Sequence, residues 1–277
     1  MICSLLLRNS IEGKGMKNTL VAIFLSLALA GTAAADVTVK QTTTGKGLGM
    51  SGNAPATTYI KGNKMRSEVQ FGDKTHVTIF DLDAQKMYIF DSKKKEADVW
   101  DMADFAQELS KKVDVSSMKA TLKPNGQTKQ IAGATATGYE MDVSMQSAMG
   151  GNQQMMMTVD LQGPVWIVKG APGADDYNHF YKAAVEKGWI FSDPRAAKGQ
   201  PAQAKAMAEM YKQIADIGGI AYESDQQIKM SGEGPMAGLL AKIGSISFSS
   251  TVTTVDTGAL ADDLFTPPPD YKLNPKK

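Results

Sequence analysis

The chain has 277 residues, 43% of them hydrophobic and 21% charged, with 30 basic and 29 acidic residues, two histidines and one cysteine. So balanced a charge argues against a nucleic-acid surface, which needs concentrated positive charge. So few histidines and cysteines exclude most nucleophile–base pairs.

From Met16 the sequence reads MKNTLVAIFLSLALAGTAAAD, a lysine and an apolar run followed by small residues ending at Ala33-Ala34-Ala35. This pattern predicts a signal peptide over residues 1–35, cut before Asp36. The apolar run from Leu20 to Ala35 is shorter than the roughly 20 residues of a membrane span. MICSLLLRNSIEGKG does not resemble a normal n-region, so translation is expected to start at Met16. Without Arg8, Glu12, Lys14 and Lys17 the exported chain carries 27 basic and 28 acidic residues. Cys3 is lost as well, leaving no thiol, no disulfide and no lipid-attachment cysteine at the junction. Residues 36–277 are thus expected to form one soluble exported domain with no stable membrane anchor.

Most of that domain reads as short strands separated by Gly, Asn and Pro. Val37–Thr44, Thr57–Lys61 and Lys64–Phe71 come first. His76–Leu82 and Lys86–Asp91 form a hairpin around Asp83-Ala84-Gln85. Ala97–Trp100, Thr121–Lys123 and Gln127–Ile131 follow, and later Pro164–Lys169, Ala221–Met230 and Ser245–Asp256. About a dozen strands with tight connections predict an antiparallel sheet.

Four helices are expected. Asp101 can cap one whose stripe is Met102, Phe105, Ala106, Leu109 and Val113. Asp175 can cap a second carrying Tyr177, Phe180, Tyr181, Ala184 and Val185, stopped by Gly188. Gln200–Ile217 and Pro235–Lys242 are the others. Each has one apolar face and must lie against the sheet. The Pro-rich tail TPPPDYKLNPKK is expected to wrap the surface.

Between Glu140 and Asp160 lie six methionines. Tyr139 to Met145 alternates apolar and polar, the period of a strand with one dry face. Alternation resumes after Gly150-Gly151-Asn152. The predicted hairpin therefore has an inner face of Tyr139, Met141, Val143, Met145, Met155, Met157 and Val159. Three duties fit this face: ordinary core, with Met as an adaptable filler; the lining of a cavity for apolar guests; or a Cu(I) site built on Met155 and Met157. His76 and His179, the usual companions of copper, lie far away in sequence.

Gly47–Gly52 matches G-x-G-x-x-G, but Pro55 and a strand follow where a nucleotide-binding loop would open a helix. It is read as a hairpin loop. No serine sits in a G-x-S-x-G elbow, and Asp81, Asp83, Asp262 and Asp263 sit at turns they can cap. His179 reads as a surface or packing residue and Lys93-Lys94-Lys95 as a solvated turn. No catalytic residue and no cofactor are expected.

YIKGNKMRSE, TIFDLDAQKMYIFDSKKKE, IAGATATGYEMDV, PVWIVKG and the closing LFTPPPDYKL resemble an exported bacterial domain-of-unknown-function family grouped with the LolA/LolB-like lipoprotein carriers. The resemblance implies a mainly β fold with a few helices: an unclosed half-barrel of about eleven antiparallel strands whose concave, apolar side the helices cover. It sets residues 174–217 apart as a helical insertion. It also implies that Arg66 contacts a helical lid, and that Trp166 joins the hairpin face in lining a cavity for an acyl chain. The function expected is a periplasmic, non-catalytic binding protein for an apolar small molecule or an acylated protein. The alternatives are a structural or interaction protein with a filled core, and a methionine-based Cu(I)-binding protein.

Overall fold

The computed structural model describes residues 36–47, 50–111, 118–149, 152–199, 201–232, 237–238, 240 and 246–276. The described residues between 36 and 276 belong to one compact unit. Twelve strands make one open sheet in the order β12-β6-β5-β4-β3-β2-β1-β11-β10-β9-β8-β7. In chain order β1–β6 are Val37–Gly47, Met50–Lys61, Lys64–Phe71, Lys74–Asp81, Lys86–Asp91 and Glu96–Asp101. β7–β12 are Lys119–Ile131, Ala134–Met149, Asn152–Lys169, Gly219–Gly232, Ile246–Thr257 and Lys272–Lys276. Every pairing is antiparallel except that of β12 with β6. This is the expected unclosed half-barrel.

Three strands depart from expectation. Thr121–Lys123 and Gln127–Ile131 belong to one strand, β7, irregular between Pro124 and Thr128. Pro164–Lys169 continues the methionine-rich strand as β9, and the joint is Gly163 at φ +148°. A Cβ there would run into the Asp225 carbonyl of β10, so only glycine lets the strand pass. The tail ends as β12, where Pro275, lacking an N–H, sits on a sheet edge that can spare a donor.

Helices α1 to α4 span Met102–Ser110, Ala174–Glu186, Pro194–Gly199 and Pro201–Ile217. Asp101 caps α1, its carboxylate accepting from the Ala103 and Asp104 N–H groups. Asp175 does not cap α2. Gly173 holds that position in a left-handed conformation, and Asp175 and Asp176 lie in the first turn, where negative charge suits the helix dipole. Gly188, at φ +77°, stops α2 as expected. Its N–H donates to Val185 O and that of Trp189 to Ala184 O, the paired bonds of a Schellman motif. α3 was not foreseen, and Pro201 opens α4 at the position where a missing N–H costs least. Of Pro235–Lys242, residues 237, 238 and 240 are helical and the others lie outside the described residues, as does Val113.

The inner face carries two apolar clusters. One joins β1–β6 to α1 and α2 through Val37, Ile60, Met65, Phe80, Phe180 and Trp189, among others. The second joins β8–β10 to α4. On the outer face Val77, Ile79, Phe90 and Ala97 pack under Phe265 of a 3-10 turn, Asp262–Phe265, in the C-terminal segment.

Candidate binding cavity

Strand register orders the inner face of β1–β4 into layers. At the bottom Val37, Ile60, Met65 and Phe80 are neighbours across four strands, all buried. One layer up stand Val39, Thr58, Ser67 and Thr78, where an apolar core would continue with branched aliphatics. Above them come Gln41, Ala56, Val69 and His76, then Ala54 and Thr43, with Thr43 opposite Ser250 of β11 and Ser250 opposite Ser224 of β10. On β2–β4 the face thus turns from Ile60, Met65 and Phe80 to three hydroxyl-bearing residues within one step of the register.

Over this floor lies a cavity of about 690 Å³, inside the roughly 300–1,000 Å³ range of ligand sites. Its roof is aromatic and thioether: Tyr177 and Tyr181 of α2, Phe191, and Met207, Met210, Tyr211 and Ile214 of α4. The rings hold each other. Tyr181 stacks on Tyr211 at 4.8 Å and 10°, and Phe191 lies 4.9 Å from Tyr181 and 5.0 Å from Tyr211. Phe80 buttresses the group from the sheet, 5.8 Å from Phe191 and 6.2 Å from Trp189. The cavity runs to the strand ends at Gly45, Asn53 and the β3–β4 turn, where Phe71 is 62% exposed.

Charged groups are few. Among the described residues lining the cavity there is no lysine or arginine, Asp193 is the one carboxylate and His76 the one imidazole. Arg195 forks Asp193 through Nε and a terminal nitrogen and donates a further bond to Asp98 at 3.0 Å. Burial raises the Asp193 pKa, but the bonds and charge of Arg195, with the backbone N–H, outweigh it and leave the carboxyl below its ordinary range. Burial pushes the Tyr177, Tyr181 and Tyr211 phenols upward, so they stay protonated donors.

Part of the hydroxyl set is internally satisfied. Thr43 donates to Ala54 O at 3.1 Å, and the Ser224 and Ser250 hydroxyls share a bond of 3.0 Å. Thr58, Ser67 and Thr78 make no side-chain hydrogen bond to a described residue. None of the three hydroxyls is among the buried side-chain atoms left without a partner, so water in the cavity reaches them even though Thr58 is only 8% exposed.

The hairpin face singled out in the sequence lies elsewhere. Tyr139, Met141, Val143, Met145 and Val159 are 0–5% exposed and pack with Leu161, Val165 and Ile167 against Ala206, Met210 and Ile214 of α4. Met157 is half-buried against the same cluster, and the Met155 side chain lies outside the described residues. Tyr139, Met141, Val143, Met145, Met157 and Val159 are not among the residues lining the cavity. α4 lies against the hairpin and its alanines allow close approach, so this half of the inner face is filled. Trp166 does not line the cavity either; alternation puts it on the other face of β9 from buried Val165 and Ile167. It packs against Gly138, with Lys129 Nζ 4.2 Å from its ring centre. The thioethers that do line the cavity are Met65, Met207 and Met210.

Arg66 does not touch a helical lid. Its neighbour Met65 faces the core, so Arg66 faces outward. There it bonds Glu68 at 2.6 Å and the Leu264 carbonyl at 3.1 Å, with Phe90 beneath. It pins the C-terminal 3-10 turn to the outer face. His179 is exposed, Gly47 pairs with Met50 at the β1–β2 end, and Asp81 caps its turn by accepting from the Asp83 and Ala84 N–H groups. Among the described residues no group of His, Cys, Asp or Glu could hold a metal, and no helix is long and apolar enough to cross a membrane.

No family model matches the chain, and no curated protein matches it significantly. Solved structures similar to it at low identity include the following two. PNGF-II aligns at 11% identity and a TM-score of 0.34 over 87% of this chain and 31% of its own. This chain therefore spans about a third of that protein. A DUF1329 family protein from Desulfovibrio piger aligns at 10% identity and a TM-score of 0.28 over 89% of this chain and 96% of its own.

Proposed function

We propose that this chain is an exported, non-catalytic binding protein, carrier-like in the sense of the LolA/LolB-like group, that shelters the apolar body of a ligand between α2, α4 and the sheet. The observation that carries this reading is the cavity roofed by Tyr177, Tyr181, Phe191, Met207 and Tyr211. These side chains offer apolar surface to an unfilled volume, and the ring cluster holds the roof open before any ligand arrives. The leader pattern of residues 1–35 supports export, and the quoted strand motifs support the grouping. Each buried CH₂ contributes about 0.8 kcal/mol, so a fourteen-carbon chain gains roughly 11 kcal/mol. Association costs of about 4–15 kcal/mol remove much of it. Weak, exchangeable binding is what a carrier requires.

The test is native mass spectrometry of the protein purified from its own cell envelope, with titration of a lipophilic fluorophore. An apolar adduct, and dye binding weakened by Tyr211→Ala with Met207→Ser, support the reading. A clean apo mass together with no gain in fluorescence overturns it.

A further inference from the structure

The cavity is unlike a simple greasy sleeve, and the difference defines its ligand. Resting on the binding reading above, we infer that the ligand is an uncharged amphiphile: an apolar chain or ring on a neutral head rich in hydroxyl, ester or amide groups, and not a free fatty acid or a phospholipid.

Three observations converge. The described lining holds no lysine or arginine, and its one imidazole, His76, lies beside the Asp193 carboxylate, so a carboxylate or phosphate would meet no fixed counter-charge. Its one carboxylate, Asp193, is already engaged by Arg195, so the site offers no strong charge to a cation either. The floor supplies neutral hydrogen-bonding groups in a row, Thr58, Ser67 and Thr78, adjacent across β2, β3 and β4 and unpartnered among the described residues. Such a row beneath an aromatic roof suits a molecule whose one side is apolar and whose other side carries hydroxyl or carbonyl oxygens. Hydroxyls donate and accept, so they meet either polarity of neutral head. Tyr177, Tyr181 and Tyr211 line the same cavity from above, the Tyr177 and Tyr181 hydroxyls sharing a hydrogen bond. A strand core that had only to be filled would carry apolar side chains at these three positions, as the layer below does with Ile60, Met65 and Phe80.

The experiment displaces a lipophilic fluorophore from the full-length exported chain with three probes sharing one acyl chain. These are 1-monomyristoylglycerol, myristate and 1-myristoyl-lysophosphatidylglycerol, each below its aggregation threshold. The neutral glyceride is expected to bind at least about tenfold more tightly than either anion, a difference of about 1.4 kcal/mol. Myristate should gain as falling pH protonates it. Thr58→Val with Thr78→Val keeps volume and shape and should narrow the preference to less than about threefold, the dye itself binding at least as tightly to the more apolar floor. Anions binding as tightly as the glyceride, or a preference untouched by the double variant, overturn the neutral-head assignment and leave the apolar-ligand reading standing. Failure of the dye and all three probes to bind overturns both.

Discussion

The division of the inner face into a filled half and a hollow half predicts opposite behaviour for two methionines on facing elements. Met145, on β8, is fully buried in the cluster under α4; Met207, on α4, is partly buried and lines the cavity. Met145→Ala removes three heavy atoms from a packed site, and such truncations cost about 2–5 kcal/mol. For a domain of this size one kcal/mol moves Tm by about 2–4 °C, so a drop of about 4–20 °C is expected. Met207→Ala only enlarges an existing cavity and removes part of the roughly 1.5–3 kcal/mol that full burial of such a side chain brings. It should cost about 1 kcal/mol and weaken lipophilic dye binding severalfold. Met145→Leu keeps the volume and should cost less than about 1.5 kcal/mol, with dye affinity intact. The assay is thermal unfolding by near-UV circular dichroism beside dye titration for all three variants. Equal losses of Tm for Met145→Ala and Met207→Ala, or dye binding that follows Met145 and ignores Met207, would refute the division.

Arg66→Ala frees the Leu264 carbonyl and should cost about 1.5–3 kcal/mol, the range for a hydrogen bond to a charged group. Faster amide exchange over residues 262–276 with dye affinity unchanged is the signature of an outer-face clasp. Gly163→Ala meets a close backbone approach at φ +148° and is expected to cost at least about 2 kcal/mol, read as a loss of Tm. Asp101 has its pKa lowered, first by the bond from Lys86 and then by the α1 backbone N–H groups. Its contribution is therefore present above the ordinary carboxylate pKa and lost as pH falls through the depressed value. Asp101→Asn should keep the cap and flatten that part of the acid stability profile, while Asp101→Ala costs about 0.5–2 kcal/mol. Tyr177, Tyr181 and Tyr211 have raised pKa values because they are buried. Their stabilisation is complete below the ordinary tyrosine pKa of 10.0 and declines as pH rises beyond it. Phenolate absorbance should show three tyrosines ionising only as the protein unfolds.

Much of the architecture was legible because it rests on periodicity. The alternation from Tyr139 to Met145 put one face of a strand in the dry, and the stripes of α1, α2 and α4 put each helix on the sheet. Alternation cannot tell a filled face from a hollow one. That depends on how close the opposing helix lies, and the approach of α4 depends on alanines that individually carry little signal. Thr58, Ser67 and Thr78 read as ordinary strand formers, since β-branched and hydroxyl residues suit strands on either face. Only the register shows that they align on the inside. For Arg66 the signal was present: in KMRSE it shares a face with Glu68 and not with Met65. The long-range partner, Leu264, lies 198 residues away and has no local trace. The edge pairing of β12 was hidden for the same reason, behind a proline-rich tail.

Tyr211 is the residue on which both halves meet. It projects from α4, packs against the cluster beneath α2 as well as the hairpin cluster, and stacks on Tyr181. The helix that fills one half of the sheet therefore also suspends the roof over the other. Rings held by their neighbours lose little freedom when a ligand arrives, so the ordering cost of binding is already met by folding. The same arrangement explains why the floor can carry hydroxyls at all. A roof braced from the side, through Phe191, Phe80 and Trp189, does not need to be packed from below, and the space left under it can be polar. A cavity preserved by its own aromatic frame, lined with neutral donors and acceptors, is the arrangement that the proposed selection by hydrogen bonds along an apolar body requires.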